Sequence, residues 1–257
     1  MAIRDGKLNI FIRIFTCTIF ISISTLSYSV PAKDLPGISQ KNNHRQLVNP
    51  AEKPWQVLGR VQTELGTHCT GFLVSSRLVI TAAHCLWIRK TNHFVNPHSV
   101  HFLLGYQRQT YRSAYNVLNI IKSENYKGEG SEKATLDNIH HDWAYLVLND
   151  KKTNQEDFFG FNKDQPYIGM IIYLAGYDQD RQEVLYADQE CHVTDILKNN
   201  GGKTILAHDC QATYGSSGAP LFTVNKNKEW VITAIQIAAY SDRPGGMAVL
   251  LTTPPRD

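Results

Sequence analysis

Three short segments of the sequence carry residue types that together could perform nucleophilic catalysis. The first is TAAHC (residues 81–85), which follows the apolar run RLVI and ends on a histidine and a cysteine. A histidine held in one ring direction on a turn can serve as a general base, because its ordinary pKa lies near neutral pH. A single histidine at a strand end is more often a surface or core residue, so His84 is interpreted together with the other two segments.

The second segment is HDWAYLVL (residues 141–148), in which Asp142 stands directly before an apolar strand. We expect such a carboxylate to be half-buried and to accept hydrogen bonds, as a group that orients an imidazole must. The alternative is an ordinary turn aspartate that starts the strand. Asp137, in the polar loop TLDNIH, is a weaker candidate for the same role.

The third segment is YGSSGAPLF (residues 214–222), a serine pair between two glycines. Gly215 permits unusual backbone dihedrals, Gly218 lets another backbone approach, and Pro220 ends the turn before an apolar strand. A hydroxyl at such a bend is exposed, and the surrounding backbone N–H groups can point at one spot. Alone the pattern is weak, because the same residue types make flexible linkers.

In this order the three segments resemble those of the chymotrypsin-like serine proteases, whose histidine, aspartate and serine follow one another in the chain in the same order. TAAHC matches that family's histidine motif, DWAYLVL its aspartate segment and GSSGAP its Gly-x-Ser-Gly-x-Pro motif. The resemblance runs from about Trp55 to Thr253. It implies a serine endopeptidase that acts on polypeptides without a cofactor or a metal ion.

The resemblance also implies a role for each site residue. Ser217, and not Ser216, is the expected nucleophile, His84 the general base and Asp142 the residue that orients His84. The backbone N–H groups of Gly215 and Ser217 are expected to form the oxyanion hole.

The finer likeness is to the bacterial branch that includes the V8-like glutamyl endopeptidases, through PWQVLGRV, CTGFLV and the later cysteine pair. The sequence departs from the vertebrate digestive members because Ser216 stands where they have an aspartate that pairs with a freshly cut N-terminal ammonium. No Ile-Val-Gly-Gly start is present either. That activation switch is therefore absent or replaced.

A second departure concerns substrate binding. Glutamyl-specific relatives place a histidine in the strand that lines the substrate pocket, and the matching residue here is Gln236, in AIQIAAY. The resemblance puts Gln211 near the base of the pocket and Gln236, Ala238 and Ala239 near its wall. These residues predict a neutral, fairly polar pocket.

The elements that must position these residues read as strands. From Trp55 onward the chain consists of short runs rich in β-branched and aromatic residues, bounded by Gly, Pro, Asn, Asp or Ser. Helical periodicity is weak, and the best candidate is a single turn after Ala83. We predict an all-β protein of two packed six-stranded antiparallel β-barrels with the active site in the cleft between them. The predicted bounds are 47–150 for the first barrel, 151–166 for a polar linker and 167–257 for the second barrel.

The first 29 residues have the order of a secretory signal peptide: a basic start, an apolar stretch and small residues at a cleavage site. An uncleaved N-terminal anchor is the alternative. Residues 30–46 are polar and contain prolines, which is typical of a leader or pro-segment arm. The predicted location is secreted or periplasmic, with no integral membrane segment once the signal is removed.

The sequence has five cysteines. Cys17 lies in the predicted signal peptide, and four remain after its removal. An even number in an exported chain indicates two disulfides, and four cysteines allow three pairings. The local pairing joins Cys69 to Cys85 and Cys191 to Cys210. By restricting the unfolded chain, each of these bonds would stabilise the folded state by about 3 kcal/mol. A four-cysteine zinc site is the alternative, but the sequence has no C-x-x-C pair.

Composition and charge exclude several other classes of protein. Apolar residues make up 42% of the chain and charged residues 19%, which is a normal globular mixture. The net charge is +3, and beyond residue 29 it falls to +1, from 23 basic and 22 acidic residues. A nearly neutral chain gives no electrostatic reason for binding nucleic acid. Separately, we expect the protein to be a monomer.

Two rival classes remain. One is an exported binding protein on the same fold with a blocked pocket. The other is a histidine-rich metal protein, for which the histidine spacing matches no tight zinc motif. The histidines that this second class would use are His93, His98 and His101, or alternatively His140 and His141.

Overall fold

The computed structural model describes residues 35–39, 41–128, 135–149, 158–199 and 201–251. The predicted signal peptide and the first part of the predicted linker, 151–157, lie outside these residues. Both barrels belong to a single unit, Asp34–Asp257.

Six strands of the first half of the chain form a closed antiparallel barrel. They are β2 (Leu58–Thr63), β3 (His68–Leu73), β4 (Leu78–Thr81), β7 (Val100–Leu104), β8 (Ser113–Lys122) and β9 (Ala144–Leu148). Their order around the barrel is β2-β3-β4-β9-β8-β7, and β7 pairs back to β2. A short two-stranded ribbon, β5 (Trp87–Ile88) and β6 (His93–Phe94), projects between β4 and β7.

The sequence pattern of these strands explains which side chains fill the barrel. In β7 the residues Val100, Phe102 and Leu104 are fully buried, while the two between them are only partly buried, as the two-residue period of a strand requires. All four residues of β4 are buried. One face of β4 points into the barrel, and at Thr81 the strand also meets Gly218 of the second barrel.

The second barrel contains the remaining strands. They are β1 (Gln46–Leu47), β10 (Ile171–Gly176), β11 (Tyr186–Lys198), β12 (Thr204–His208), β13 (Pro220–Val224), β14 (Trp230–Ala239) and β15 (Gly246–Leu250). Six of them follow the order β11-β10-β13-β14-β15-β12, and β12 pairs with β11 to close the barrel. The prediction of two six-stranded antiparallel barrels is therefore confirmed. The additional strand β1 pairs with β11, although it precedes the first barrel in the sequence.

The long strand β11 closes the second barrel by pairing on both sides. Its first half pairs with β10 and its second half with β12, and the register shifts between Val193 and Asp195. Such a shift bends a strand and increases its twist, which allows six strands to curl into a closed sheet.

Helical structure in the described residues is confined to single turns. The bounds are Leu136–Ile139 for the α-helix α1, and Trp55–Val57, Ala83–Leu86, Pro97–Ser99 and Gln179–Arg181 for 3-10 turns. The turn expected after Ala83 is thus present as a 3-10 turn. Across the described residues, no helix is both long enough and apolar enough to cross a membrane.

Two disulfides join the cysteines in the local pairing. Cys69 of β3 bonds Cys85 in the 3-10 turn after β4, and Cys191 of β11 bonds Cys210 just after β12. The first bond ties the turn that carries His84 to the neighbouring strand of the same barrel.

Candidate active site

The pairing of β4 with β9 brings His84 and Asp142 together. Thr81, the last residue of β4, lies opposite Ala144, the first residue of β9. The strands are antiparallel, so the residues that follow β4 and those that precede β9 lie at the same edge of the barrel. His84 comes three residues after Thr81, and Asp142 two residues before Ala144.

Both carboxylate oxygens of Asp142 accept hydrogen bonds from His84. The distance from His84 Nδ1 to Asp142 Oδ2 is 2.7 Å, and the His84 backbone N–H donates to Oδ1 at 2.8 Å. Because a carboxylate can only accept, Nδ1 carries the proton and Nε2 is left with a free lone pair. The Asp142 side chain is largely buried, which limits competition from water.

The charge of Asp142 changes the pKa of His84. Burial acts to lower that pKa and Arg89 acts in the same direction. The charge and the hydrogen bond of Asp142 outweigh both, so the pKa of His84 lies above its ordinary value of 6.5. The imidazole is therefore a stronger base than an isolated one.

Ser217 lies on the second barrel, in the loop directly before β13, and faces the segment that carries His84. The Ser217 carbonyl oxygen accepts from the Thr70 backbone N–H at 2.9 Å and lies 3.9 Å from Cys85 Sγ. Among the described residues, neither the Ser217 hydroxyl nor His84 Nε2 has a hydrogen-bond partner. In substrate-free sites of this kind such a pair is often too far apart to bond, and closes when substrate binds.

Ser216 has a different environment from its neighbour. It is only 1% exposed, and its hydroxyl donates to the Thr213 carbonyl oxygen at 2.6 Å. Its backbone N–H donates to the same oxygen at 3.1 Å. The Ser216 side chain therefore stabilises the loop by an internal hydrogen bond, whereas the Ser217 hydroxyl has no hydrogen-bond partner among the described residues.

The direction of the Gly215 N–H, an expected oxyanion donor, is set by the hydrogen bond that the carbonyl group of the same peptide unit accepts. The Tyr214 carbonyl oxygen accepts from the Gln179 backbone N–H at 2.6 Å. A trans peptide is planar and its C=O and N–H point in opposite directions, so holding the Tyr214 oxygen fixes the direction of the Gly215 N–H. No described residue accepts from that N–H.

The Ser217 amide is held in the same way. The Ser216 carbonyl oxygen accepts from the Ala219 backbone N–H at 2.9 Å, and among the described residues the Ser217 N–H has no acceptor. Two oriented, unused N–H groups two residues apart can together bind a single negatively charged oxygen.

Of the expected pocket residues, Gln211 has its side chain engaged with the N-terminal arm, residues 35–45. Its Oε1 accepts from the Ser39 N–H at 2.9 Å, and its Nε2 donates to the Asn42 carbonyl oxygen at 2.5 Å. Gln211 is only 4% exposed. The arm thus lies directly against the expected base of the pocket.

The arm also lies against the expected wall of the pocket. Gly37 donates its N–H to the Tyr240 carbonyl oxygen at 2.7 Å. A Cβ atom built on Gly37 would overlap the Ala212 carbonyl oxygen and would lie 2.8 Å from Ala239 Cβ. Only a residue without a side chain fits there, and its backbone fills the space between Ala212 and Ala239.

Gln236 is buried and bonded to a neutral histidine. Its Oε1 accepts from His208 Nε2 at 2.6 Å, and its Nε2 donates to the Ala238 carbonyl oxygen at 3.0 Å. Burial lowers the pKa of His208 to about 4, which the bond to Gln236 only partly opposes. His208 is therefore uncharged at neutral pH.

One group in the described residues has metal-ligand residue types with ligand atoms within 4.8 Å of one another: Cys69, His84 and Cys85. Both sulfurs belong to the same disulfide and are not thiolates, so they are not metal donors. Asp137 lies in α1, before the segment that carries Asp142.

Sequence reasoning missed Thr70, which holds the Ser217 loop. Its backbone N–H and its hydroxyl bond the carbonyl oxygens of Ser217 and Gly215, each at 2.9 Å. The only signal is its position directly after Cys69, within a segment noted for its resemblance and not for its contacts.

The two barrels, with the paired histidine and aspartate on one and the partly buried Ser217 on the other, have the architecture of the chymotrypsin-like serine proteases. A family model described as Trypsin matches residues 43–249, and the chain belongs to that family.

Two curated relatives are similar over most of this chain. The glutamyl endopeptidase of Bacillus licheniformis is 22% identical over 203 residues, which cover 77% of this chain and 59% of that protein. Serine protease 23 of Mus musculus is 27% identical over 176 residues, which cover 62% of this chain and 44% of that protein. The chain thus spans between about two fifths and three fifths of these relatives.

A solved structure supports the fold. A Glu endopeptidase determined in complex with MPD superposes with a TM-score of 0.65 at 17% identity, covering 81% of this chain and 91% of that one. The likeness to chymotrypsin-like proteases and to glutamyl endopeptidases inferred from the motifs is confirmed.

The close contact at Gly218 gives a prediction. Gly218 has φ of +84°, and a Cβ there would overlap the Thr70 carbonyl oxygen and lie 2.9 Å from the Ala82 nitrogen. Gly169 has φ of +85° and open space around it. Gly169→Ala should lower the free energy of unfolding by about 1–2 kcal/mol, the left-handed strain alone, whereas Gly218→Ala should cost at least about 2 kcal/mol more. Denaturant titration measures both, and equal losses would show that the contact does not constrain the loop.

Proposed function

We propose that this protein is a serine endopeptidase that hydrolyses peptide bonds through an acyl-enzyme on Ser217. One observation carries the proposal: His84 is held by both oxygens of Asp142 and faces a loop whose serine hydroxyl and two amides are unused. Family membership supports the reaction type.

In the first half of the proposed reaction, Ser217 Oγ attacks the carbonyl carbon of the substrate and its proton passes to His84 Nε2. Asp142 stabilises the imidazolium and keeps the Nδ1 proton in place. The carbonyl oxygen becomes negative and is bound by the N–H groups of Gly215 and Ser217, each of which contributes roughly 10²–10³ in rate in comparable sites.

In the second half, His84 gives its proton to the leaving amine and the acyl group stays on Ser217 Oγ. Water then attacks the ester while His84 accepts a proton from it. Collapse of the second tetrahedral intermediate returns that proton to Ser217 and releases the carboxylic acid. No external oxidant, reductant or cofactor is needed to balance these steps.

We further propose that the substrate pocket is shallow and neutral. The backbone of Gly37 lies between Ala239 of the expected wall and Ala212, the neighbour of the expected base residue Gln211, which leaves little depth. Gln211 and Gln236 are both neutral. His208 is uncharged, so it offers no cation for an acidic substrate side chain. The relative named glutamyl endopeptidase carries its acidic preference in its name, and this chain is proposed to differ from it.

The proposed location is secreted or periplasmic. Two disulfides support an oxidising compartment, because such bonds are rare where glutathione keeps thiols reduced. The signal peptide proposed for residues 1–29 would direct the export of the chain to that compartment.

Substituting each serine of the pair tests the nucleophile. Ser217→Ala should abolish labelling by a fluorophosphonate probe and turnover of a casein-type substrate. Ser216→Ala should keep both and lose about 1 kcal/mol of stability, since it removes one buried hydrogen bond. Labelling that survives Ser217→Ala and disappears in Ser216→Ala would reverse the assignment, and a wild-type protein that is not labelled would favour a binding protein.

The pH dependence tests the pair of His84 and Asp142. Catalysis needs neutral His84 Nε2, so kcat/KM should rise with pH through a midpoint above 6.5. Asp142→Asn should cost about four decades in kcat. It should also move the midpoint below 6.5, because burial then acts unopposed. Asp137→Asn serves as the control and should stay within about twofold; a loss below tenfold in Asp142→Asn would contradict the role of Asp142.

Cleavage of a peptide library tests the pocket. Peptides with a small neutral residue before the cleaved bond should be cut at least about tenfold faster than those with Glu, Lys or Phe there, because burying an uncompensated charge or a large ring in this space is unfavourable. Matched peptides with Gln and Glu isolate the effect of charge. Preferred cleavage after Glu would contradict the neutral pocket.

A further inference from the structure

We propose that Arg45 is a positioning residue for the oxyanion hole. It acts from the N-terminal arm through Asp178, whose neighbour Gln179 fixes the peptide that presents the Gly215 N–H. This inference rests on the proposed function and names a part of its machinery.

Arg45 is buried and its guanidinium binds two carboxylates. The residue is 7% exposed, Nη1 lies 2.5 Å from Asp178 Oδ2, and Nη2 lies 2.7 Å from Asp180 Oδ2. Nη1 also donates to Asp180 Oδ1 at 3.1 Å, so the guanidinium holds Asp180 as a two-pronged fork. An arginine stays charged at any working pH, and its planar fork fixes both partners in direction.

The chain on both sides of Arg45 is itself fixed. Asn43 Oδ1 accepts from the Arg45 backbone N–H at 3.2 Å and from its Nε at 3.1 Å. Directly after Arg45, strand β1 pairs with β11, with Gln46 opposite Ala187. Arg45 therefore reaches Asp178 from a backbone anchored on the second barrel.

Asp178 and Gln179 bind two successive residues of the serine loop, the segment 209–219 between β12 and β13 that carries Ser217. Asp178 Oδ1 accepts from the Thr213 N–H at 2.9 Å, and the Gln179 N–H donates to the Tyr214 carbonyl oxygen at 2.6 Å. The second bond fixes the peptide whose other end is the Gly215 N–H. A shift of Asp178 would therefore be passed directly to an oxyanion donor.

The charge of Arg45 keeps Asp178 in the form that this arrangement needs. Burial raises the pKa of the Asp178 carboxyl to about 6, and the Arg45 charge is the largest influence in the opposite direction. The negative charge of Asp180 adds to the rise. Arg181 Nε lies 3.4 Å from Asp180 Oδ2, but Arg45 is the only cation among the described residues that pairs with Asp178. Without Arg45, buried Asp178 would lie beside Asp180 with no counter-charge of its own and would have to protonate or move.

The experiment compares Arg45→Met, Arg45→Lys and the control Arg60→Met in the full chain. Arg60, on β2 of the first barrel, also pairs with a carboxylate at 3.1 Å, that of Glu183 in the segment between β10 and β11. Among the described residues, neither Arg60 nor Glu183 is hydrogen-bonded to residues 213–217. The thermal unfolding midpoint of each variant is first measured and compared with that of the wild type. Then kcat, KM and the pH profile are measured on one peptide substrate.

Arg45→Met should lower kcat about 10- to 100-fold with KM within threefold, because a misplaced donor weakens transition-state binding more than ground-state binding. Because Asp178 then holds its proton to a higher pH, part of the lost kcat should return as the pH is raised above neutral. Arg45→Lys keeps the charge and should recover at least threefold of the lost kcat. Arg60→Met should stay within twofold of wild type.

A wild-type kcat in Arg45→Met would overturn the inference, as would a lysine variant no better than methionine. If Arg45→Met does not fold, the double variant Arg45→Met with Asp178→Asn removes both buried charges and keeps an acceptor for the Thr213 amide. It should fold with kcat still reduced at least tenfold, and wild-type kcat there would overturn the inference. Wild-type protein that no fluorophosphonate labels would instead overturn the proposed function itself.

Discussion

Thr70 is fully buried where the two barrels meet, and each of its polar groups holds a different part of the candidate site. Its N–H and hydroxyl bond the carbonyl oxygens of Ser217 and Gly215 on the second barrel. Its hydroxyl oxygen also accepts from the Tyr177 N–H at 3.0 Å, and its carbonyl oxygen accepts from the Thr81 hydroxyl at 2.8 Å. A buried polar group left without a partner costs about 1–3 kcal/mol, so these bonds strongly favour one relative placement of the two loops. The distance between the serine and the histidine follows from that placement.

The two halves of the site are assembled by different physical means. His84 and Asp142 come together through strand register within one barrel, where a shift of one residue would also turn buried side chains outward. The serine loop instead depends on side-chain and turn hydrogen bonds, which are individually weak and must all agree. Among the described residues, two amides of the loop have no acceptor, which is unfavourable in a folded protein. The negatively charged oxygen of the proposed reaction would accept from both. Such preorganisation would explain why so many hydrogen bonds converge on the loop that carries Ser217.

The sequence was sufficient for those parts of the site that depend on local pattern. Short β-branched runs between turn residues predict the strands, and the segments around His84, Asp142 and Ser217 carry their residue types at short range. Arg45 could not be predicted, because its partner Asp178 lies 133 residues further along the chain and neither residue belongs to a periodic or motif pattern. The polar, proline-containing composition of the arm favours a leader, and composition does not reveal that β1 and Gly37 pair with the second barrel.

The absence of an aspartate at position 216 and the presence of a buried ion pair elsewhere are consistent with one electrostatic requirement. A charged side chain at Ser216, which is only 1% exposed, would need a cation brought to it, whereas a hydroxyl is satisfied by the Thr213 carbonyl oxygen within its own loop. The negative charge that contacts this loop is instead on Asp178, whose carboxylate oxygen Oδ1 accepts from the Thr213 backbone N–H. Its counter-charge, Arg45, lies within the chain and needs no free amino terminus to be created. On the role proposed for Arg45, assembly of the loop depends on the arm being docked on the second barrel.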